Sequence, residues 1–145
     1  MSLKKDNFTN FDKKIMRFAI NLAKNNIGLT GTNPSVGCVI VKNKKIVSYG
    51  ATNINGIPHA ETVALKKNKK NNNGSTIYVT LEPCSHYGKT PPCTNAIVRS
   101  KIKKVYFSIN DLDKRVLNKT KKKLNKKSIL TKNGLLSIEA KKLYK

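Results

Sequence analysis

The 145-residue sequence has no run of eighteen or more apolar residues, and its opening, Met1-Ser2-Leu3-Lys4-Lys5-Asp6, lacks the apolar stretch of a signal peptide. Neither a membrane span nor export is expected, and the cytoplasm is the expected location. Cysteine is scarce and odd in number, at Cys38, Cys84 and Cys93. That argues against a disulfide framework and for reduced thiolates used as ligands. Arginine is nearly missing: of 30 basic residues only Arg17, Arg99 and Arg115 are arginine. The net charge of +23 is carried by lysines scattered among asparagines, and no lysine-rich segment is interleaved with aromatics. Such a pattern speaks for solvated lysine faces over a dedicated nucleic-acid surface, so nucleic acid is not an expected partner.

The length fits one domain, residues 1–145, with no repeat, linker or second domain in evidence. A chain of this size buries roughly two thirds of its unfolded surface without help from disulfides or metal. A metal site in it would therefore serve function rather than act as a staple.

One stretch carries chemistry. His59-Ala60-Glu61 is followed, after a spacer, by Leu81-Glu82-Pro83-Cys84-Ser85-His86-Tyr87-Gly88-Lys89-Thr90-Pro91-Pro92-Cys93. His59, Cys84 and Cys93 offer one nitrogen and two sulfurs, a trigonal base that leaves the fourth tetrahedral position of a zinc ion open for water. Zinc in such a site lowers the pKa of that water towards neutrality, and Glu61 is the expected proton carrier. The competing reading is two structural cysteines and a helix-capping histidine. Cys38, inside an apolar run, is expected to be a small core residue rather than a ligand.

Along the chain, Phe11, Ile15, Phe18, Ala19 and Leu22 recur at helical spacing, predicting an amphipathic helix from about Thr9 to Asn26 capped by Thr9 or Asn10. Val36 to Val41 reads as a strand buried on both faces, and Lys42-Asn43-Lys44-Lys45 turns it into a hairpin with Ile46 to Tyr49. A helix is expected from His59 to about Lys69, its apolar face built from Ala60, Val63, Ala64 and Leu65. His59 and Glu61 lie about 200° apart around an ideal helix axis, so they can share one ion only if it sits at the helix end. Thr76 to Leu81 is a third, β-branched strand that delivers Pro83-Cys84 off its end, where open α/β sheets bind ligands. A helix over Thr94 to Ser100, a strand over Val105 to Ile109, a helix over Val116 to Leu124, a strand over Ser128 to Thr131 and a terminal helix over Ser137 to Tyr144 complete the reading. The terminal helix is expected to bury Ile138, Ala140 and Leu143. The fold class is α/β: a three-layer α/β/α sandwich around a mixed five-stranded sheet.

The H-x-E and P-C contexts resemble the zinc-dependent nucleoside and base deaminases, whose usual signature ends in P-C-x-x-C. Here eight residues separate Cys84 from Cys93. That longer loop resembles the deaminase half of the bifunctional riboflavin-biosynthesis deaminase/reductase. The likeness runs through Asn33-Pro34-Ser35-Val36-Gly37-Cys38-Val39-Ile40-Val41, Pro58-His59-Ala60-Glu61 and Thr80-Leu81-Glu82-Pro83-Cys84-Ser85-His86, with Gly88-Lys89-Thr90-Pro91-Pro92-Cys93 its most specific part.

The resemblance implies a cytidine deaminase-like fold, a zinc cofactor and hydrolytic deamination of 2,5-diamino-6-ribosylamino-4(3H)-pyrimidinone 5′-phosphate in riboflavin biosynthesis. The expected partner is thus a small phosphorylated aminopyrimidine, and a homo-oligomer is implied. Lys89 is a compact cation and His86 a donor suited to a phosphate, while Asn33 suits a ring or ribose. Ser85 and Asp111 complete the substrate-binding set that the motif implies. Against these stand a surface or supporting histidine at 86 and one more solvated lysine at 89.

Three positions depart from the family pattern. Thr52 stands where histidine is usual, Asp111-Leu112-Asp113 replaces D-P-N, and Asn118-Lys119-Thr120 replaces a glycine-containing segment. The reductase half is absent from this sequence, whether as a natural stand-alone deaminase or a truncation. Two other readings remain at this point: a cytidine or dCMP-type or tRNA adenosine deaminase, which a short P-C-x-x-C would have supported, and a non-catalytic zinc-stabilised RNA-binding module.

Overall fold

A computed structural model describes residues 7–111 and 119–144. Five strands form one sheet in the order β2-β1-β3-β4-β5: β1 Gly37–Lys42, β2 Lys45–Ala51, β3 Thr76–Leu81, β4 Lys104–Ile109 and β5 Leu130–Lys132. β1 runs antiparallel to both β2 and β3, while β3, β4 and β5 are mutually parallel, so the sheet is mixed. Asn43 and Lys44 both take positive φ (52° and 61°), the geometry of the two-residue turn that matches strand twist in a hairpin.

Alternation along the strands separates two cores. Cys38, Ile40, Ile77, Val79, Val105 and Phe107 face one side, against helices α2 (Ala60–Lys67), α3 (Cys93–Arg99) and α4 (Lys119–Lys126) through Ala64, Leu65, Ile97 and Leu124. Val39, Val41, Tyr78 and Tyr106 face the other, against α1 (Asn10–Asn25) and α5 (Ser137–Lys141) through Ile15, Met16, Ala19, Ile20 and Ala140. The result is the three-layer sandwich expected from the sequence. Each buried side chain of the size of Phe107, which is 1% exposed, contributes about 1.5–3 kcal/mol. Cys38 is fully buried in β1, and burial pushes its thiol pKa up, as suits a core residue.

α1 begins as the sequence suggests. The Asp12 amide donates to Thr9 Oγ1 and the Thr9 amide to Asp12 Oδ2, both at 3.0 Å, a reciprocal cap that satisfies two end donors. Its close seating on the sheet requires Gly37, where a Cβ would stand 1.8 Å from the Ala19 carbonyl oxygen.

Several boundaries differ from expectation: β2 extends to Ala51, and β5 begins at Leu130 rather than Ser128. α2 stops at Lys67, because Asn68 turns the chain and donates its backbone amide to the Leu65 carbonyl. The terminal helix is one short α segment, α5, followed by a 3-10 turn at Lys142–Tyr144, and Ile138 is 76% exposed rather than buried. Ala140 is buried, and Ile138, two residues before it, lies about 200° around the helix and so faces solvent, while Leu143 packs against the core. α4 is described from Lys119; the expected helix start at 116–118, with Leu112, Asp113 and Asn118 among the departures noted above, lies outside the described residues.

Candidate active site

Three chain segments converge at one end of the sheet. β3 ends at Leu81 and passes directly into Glu82-Pro83-Cys84; His59 is the N-cap of α2; Cys93 is the first residue of α3. His59 Nδ1 lies 3.3 Å from Cys93 Sγ and 3.8 Å from Cys84 Sγ. The Cys93 amide donates to Cys84 Sγ at 3.2 Å, and the Thr94 amide donates to the Cys84 carbonyl at 3.1 Å, so the start of α3 holds the end of β3. The ligand atoms of His59, Cys84 and Cys93 all lie within 4.8 Å of one another. One imidazole and two thiols at this separation match the donor set and spacing of a tetrahedral zinc ion, and carboxylate-preferring ions would be poorly served.

The protonation of the group follows from the same contacts. The hydrogen bond from the Cys93 thiol, assisted by His59, holds the Cys84 thiol well below its usual range, despite the opposing effect of burial. Cys93 is pushed far up because its proton is engaged by Cys84 and because it is buried. The two sulfurs thus hold one proton between them, on Cys93. His59 is raised, first by its hydrogen bond to Cys84. Glu61, 4% exposed, is pushed up to about 7, mainly by burial and secondly by the negative charge of Cys84. A carboxyl group poised near neutrality beside a metal-ligand set can both take and return a proton.

A pocket of about 310 Å³ opens over this group. Its base is His59, Glu61 and Cys84; one wall is Asn33, Pro34, Val36, Thr52 and Ile57, another Leu81, Glu82 and Asp111, and the third His86, Gly88, Lys89 and Thr90 from the loop between the cysteines. The volume suits a small organic ligand. Lys89 is exposed at the rim, and His86 is half-buried with Nδ1 buried and without a partner among the described residues. Asn33 lines the pocket but spends its amide on the Gly56 carbonyl at 3.0 Å. Asp111 lines it and donates its backbone amide to Glu82 Oε1 at 3.1 Å. Ser85 is outside the lining; its hydroxyl is buried without a partner among the described residues.

Thr52, the position where the family pattern has histidine, is 2% exposed in this pocket, and its hydroxyl accepts the Val36 amide at 2.9 Å. The threonine therefore anchors the start of β1. Sequence reasoning quoted Glu82 within a motif without giving it a place in the site. It is buried in the pocket wall, with Oε1 accepting from Asn110 Nδ2 (3.2 Å) and the Asp111 amide, and burial raises its pKa. An acid between a β-branched strand and Pro-Cys was the available signal.

Residues 9–109 match the family model for the cytidine and deoxycytidylate deaminase zinc-binding region. A diaminohydroxyphosphoribosylamino-pyrimidine deaminase of Buchnera aphidicola subsp. Schizaphis graminum is 48% identical over 134 residues, 92% of this chain and 91% of its own length. The riboflavin biosynthesis protein RibD of Aquifex aeolicus is 45% identical over 132 residues, 91% of this chain; the chain spans only 37% of that relative. Among solved structures, a diaminohydroxyphosphoribosylaminopyrimidine deaminase/5-amino-6-(5-phosphoribosylamino)uracil reductase from Thermotoga maritima superposes with a TM-score of 0.85 at 40% identity, covering 92% of this chain and 39% of that one.

Proposed function

This chain belongs to the cytidine and deoxycytidylate deaminase family, and on that premise we propose that it deaminates 2,5-diamino-6-ribosylamino-4(3H)-pyrimidinone 5′-phosphate in riboflavin biosynthesis. The C2 amine is exchanged for a carbonyl oxygen from water and leaves as ammonia. The observation that carries this reading is the eight-residue loop between Cys84 and Cys93, which forms a wall of the pocket in a chain 48% identical to a stand-alone relative named for this deamination.

His59, Cys84 and Cys93 hold zinc through one nitrogen and two sulfurs. Bound there, zinc supplies Lewis-acid chemistry that makes hydroxide available from water near neutral pH. Glu61 takes one proton from the water that attacks C2 and passes it to the ring nitrogen; it then takes the hydroxyl proton of the resulting C2 adduct and gives it to the departing amine. The C2–O bond forms first and the C2–N bond breaks second, and substrate plus water gives product plus ammonia. Lys89 neutralises the 5′-phosphate at the rim, with His86 as a hydrogen-bond partner; Asn33 and Asp111, which line the pocket, complete the contacts to ring and ribose. The working form is a cytoplasmic homo-oligomer, supported by the family likeness alone.

Zinc-loaded protein incubated with the phosphorylated diaminopyrimidinone should release ammonia in step with loss of substrate. Turnover confined to cytidine, dCMP or adenosine in tRNA would overturn the assignment.

A further inference from the structure

The end of the chain reaches the pocket from behind. After α5, the 3-10 turn places Tyr144 against the segment before β1, where its hydroxyl donates to the Ser35 carbonyl at 2.9 Å across a separation of 109 residues. The same oxygen lies 2.8 Å from Thr80 Oγ1. Because the tyrosine proton is committed to Ser35, the threonine donates to the tyrosine, and Thr80 Oγ1 in turn accepts the Gly37 amide at 3.1 Å. Four polar groups thus form one satisfied chain: Gly37 amide, Thr80 hydroxyl, Tyr144 hydroxyl, Ser35 carbonyl. Both ends sit in the stretch that supplies Asn33, Pro34 and Val36 to one pocket wall, and its middle is the last strand position before Leu81 and Glu82 of the facing wall.

Independent contacts fix each end. Ser35 Oγ donates to the Ala23 carbonyl of α1 at 2.6 Å, and Thr80 is fully buried in β3. The tyrosine is seated by Leu143, packed in the core beside α1. A hydroxyl between two fixed walls sets their separation and adds no group to the reaction.

We infer that Tyr144 is a positioning residue: its hydroxyl locks the Asn33–Val36 wall to the end of β3 and so sets the width of the substrate pocket. The inference rests on the deaminase reading of that pocket, and its test separates the two. The lock is read by hydrogen–deuterium exchange at residues 33–37 in full-length, zinc-loaded Tyr144→Phe, which keeps the ring and removes only the hydroxyl. Exchange there should rise about five- to tenfold, the effect of losing one neutral hydrogen bond, while β4 and β5 keep wild-type protection. KM for the phosphorylated aminopyrimidine should rise by about the same factor, with zinc content unchanged. Tyr144→Leu should behave no better than Tyr144→Phe.

Unchanged exchange at 33–37 in Tyr144→Phe overturns the lock. Uniformly increased exchange with unaltered KM and kcat reduces Tyr144 to ordinary packing and also overturns it, as does wild-type behaviour of Tyr144→Phe beside an impaired Tyr144→Leu. Failure of the wild-type protein to deaminate this substrate refutes the proposed function, and the exchange comparison still decides the lock.

Discussion

The Cys93 amide donates to Cys84 Sγ at 3.2 Å, so the loop between the two cysteines closes on itself before any metal is considered. Eight residues are enough for that loop to rise over the pocket and return, placing His86, Gly88, Lys89 and Thr90 in its wall. A two-residue spacer could tie the same two sulfurs together but could not contribute such a wall.

Zinc uptake should release protons. In the metal-free protein the Cys84 thiol is held down by Cys93 while Cys93 keeps its proton and His59 is raised, so binding through all three expels the Cys93 proton together with any proton on His59. Calorimetric titration of metal-free protein in buffers of different ionisation enthalpy measures the number. Cys93→Ala should lose most of the zinc affinity.

Glu61→Gln should retain zinc and lose turnover by about 10²–10⁴-fold, since the substitution removes the proton carrier and no ligand. Metal analysis alongside steady-state ammonia release checks both halves. Full turnover by Glu61→Gln would remove Glu61 from the proton-carrier role, whereas a non-catalytic RNA-binding module predicts no turnover in either protein and RNA binding unaffected by the substitution.

The same carboxyl gives the metal-free protein a pH signature. Its pKa is raised from 4.5 to about 7 by burial, so the fold favours the protonated form. The corresponding stability is fully present below pH 4.5 and is lost as pH rises through about 7. The stability of metal-free wild type relative to metal-free Glu61→Gln should therefore fall by up to about 3 kcal/mol across that window. Denaturant titrations of the two proteins at several pH values give the difference directly, which removes the shared contributions of Cys84 and Cys93.

Asp12 is buried beneath α1 with Tyr78 donating to Oδ1 at 2.6 Å and the Thr9 amide bound to Oδ2. Tyr78→Phe leaves a buried carboxylate oxygen without its donor and should cost about 1.5–3 kcal/mol, with zinc content unchanged. Thermal or urea unfolding of zinc-loaded protein reads the loss, and a wild-type midpoint would contradict the pairing.

Local pattern carried much of this structure in the sequence. Thr76 to Leu81 is legible because a β-branched run bounded by Gly74 has few other uses, and its limits coincide with β3. The site ligands are legible because imidazole and thiols in H-x-E and P-C contexts have few structural uses, and the structure brings them together. Ile138 is exposed because it lies about 200° from Ala140 around the helix, so the two cannot share one buried face. Tyr144 was invisible for a different reason: its partners Ser35 and Thr80 are distant in sequence, and a single hydroxyl leaves no periodic trace. Glu82 stood in plain view, but nothing local says that Asn110 and Asp111 will meet it from the end of β4.

The central claim is that the C2 amine of the phosphorylated diaminopyrimidinone is the group removed. Substrate carrying isotopically labelled nitrogen only at that amine, turned over by the zinc-loaded protein, tests it most directly. The account predicts that the label appears in the released ammonia and that the pyrimidine product retains its C5 amine with oxygen at C2. Unlabelled ammonia, or labelled substrate left intact while cytidine or dCMP is consumed, would contradict it.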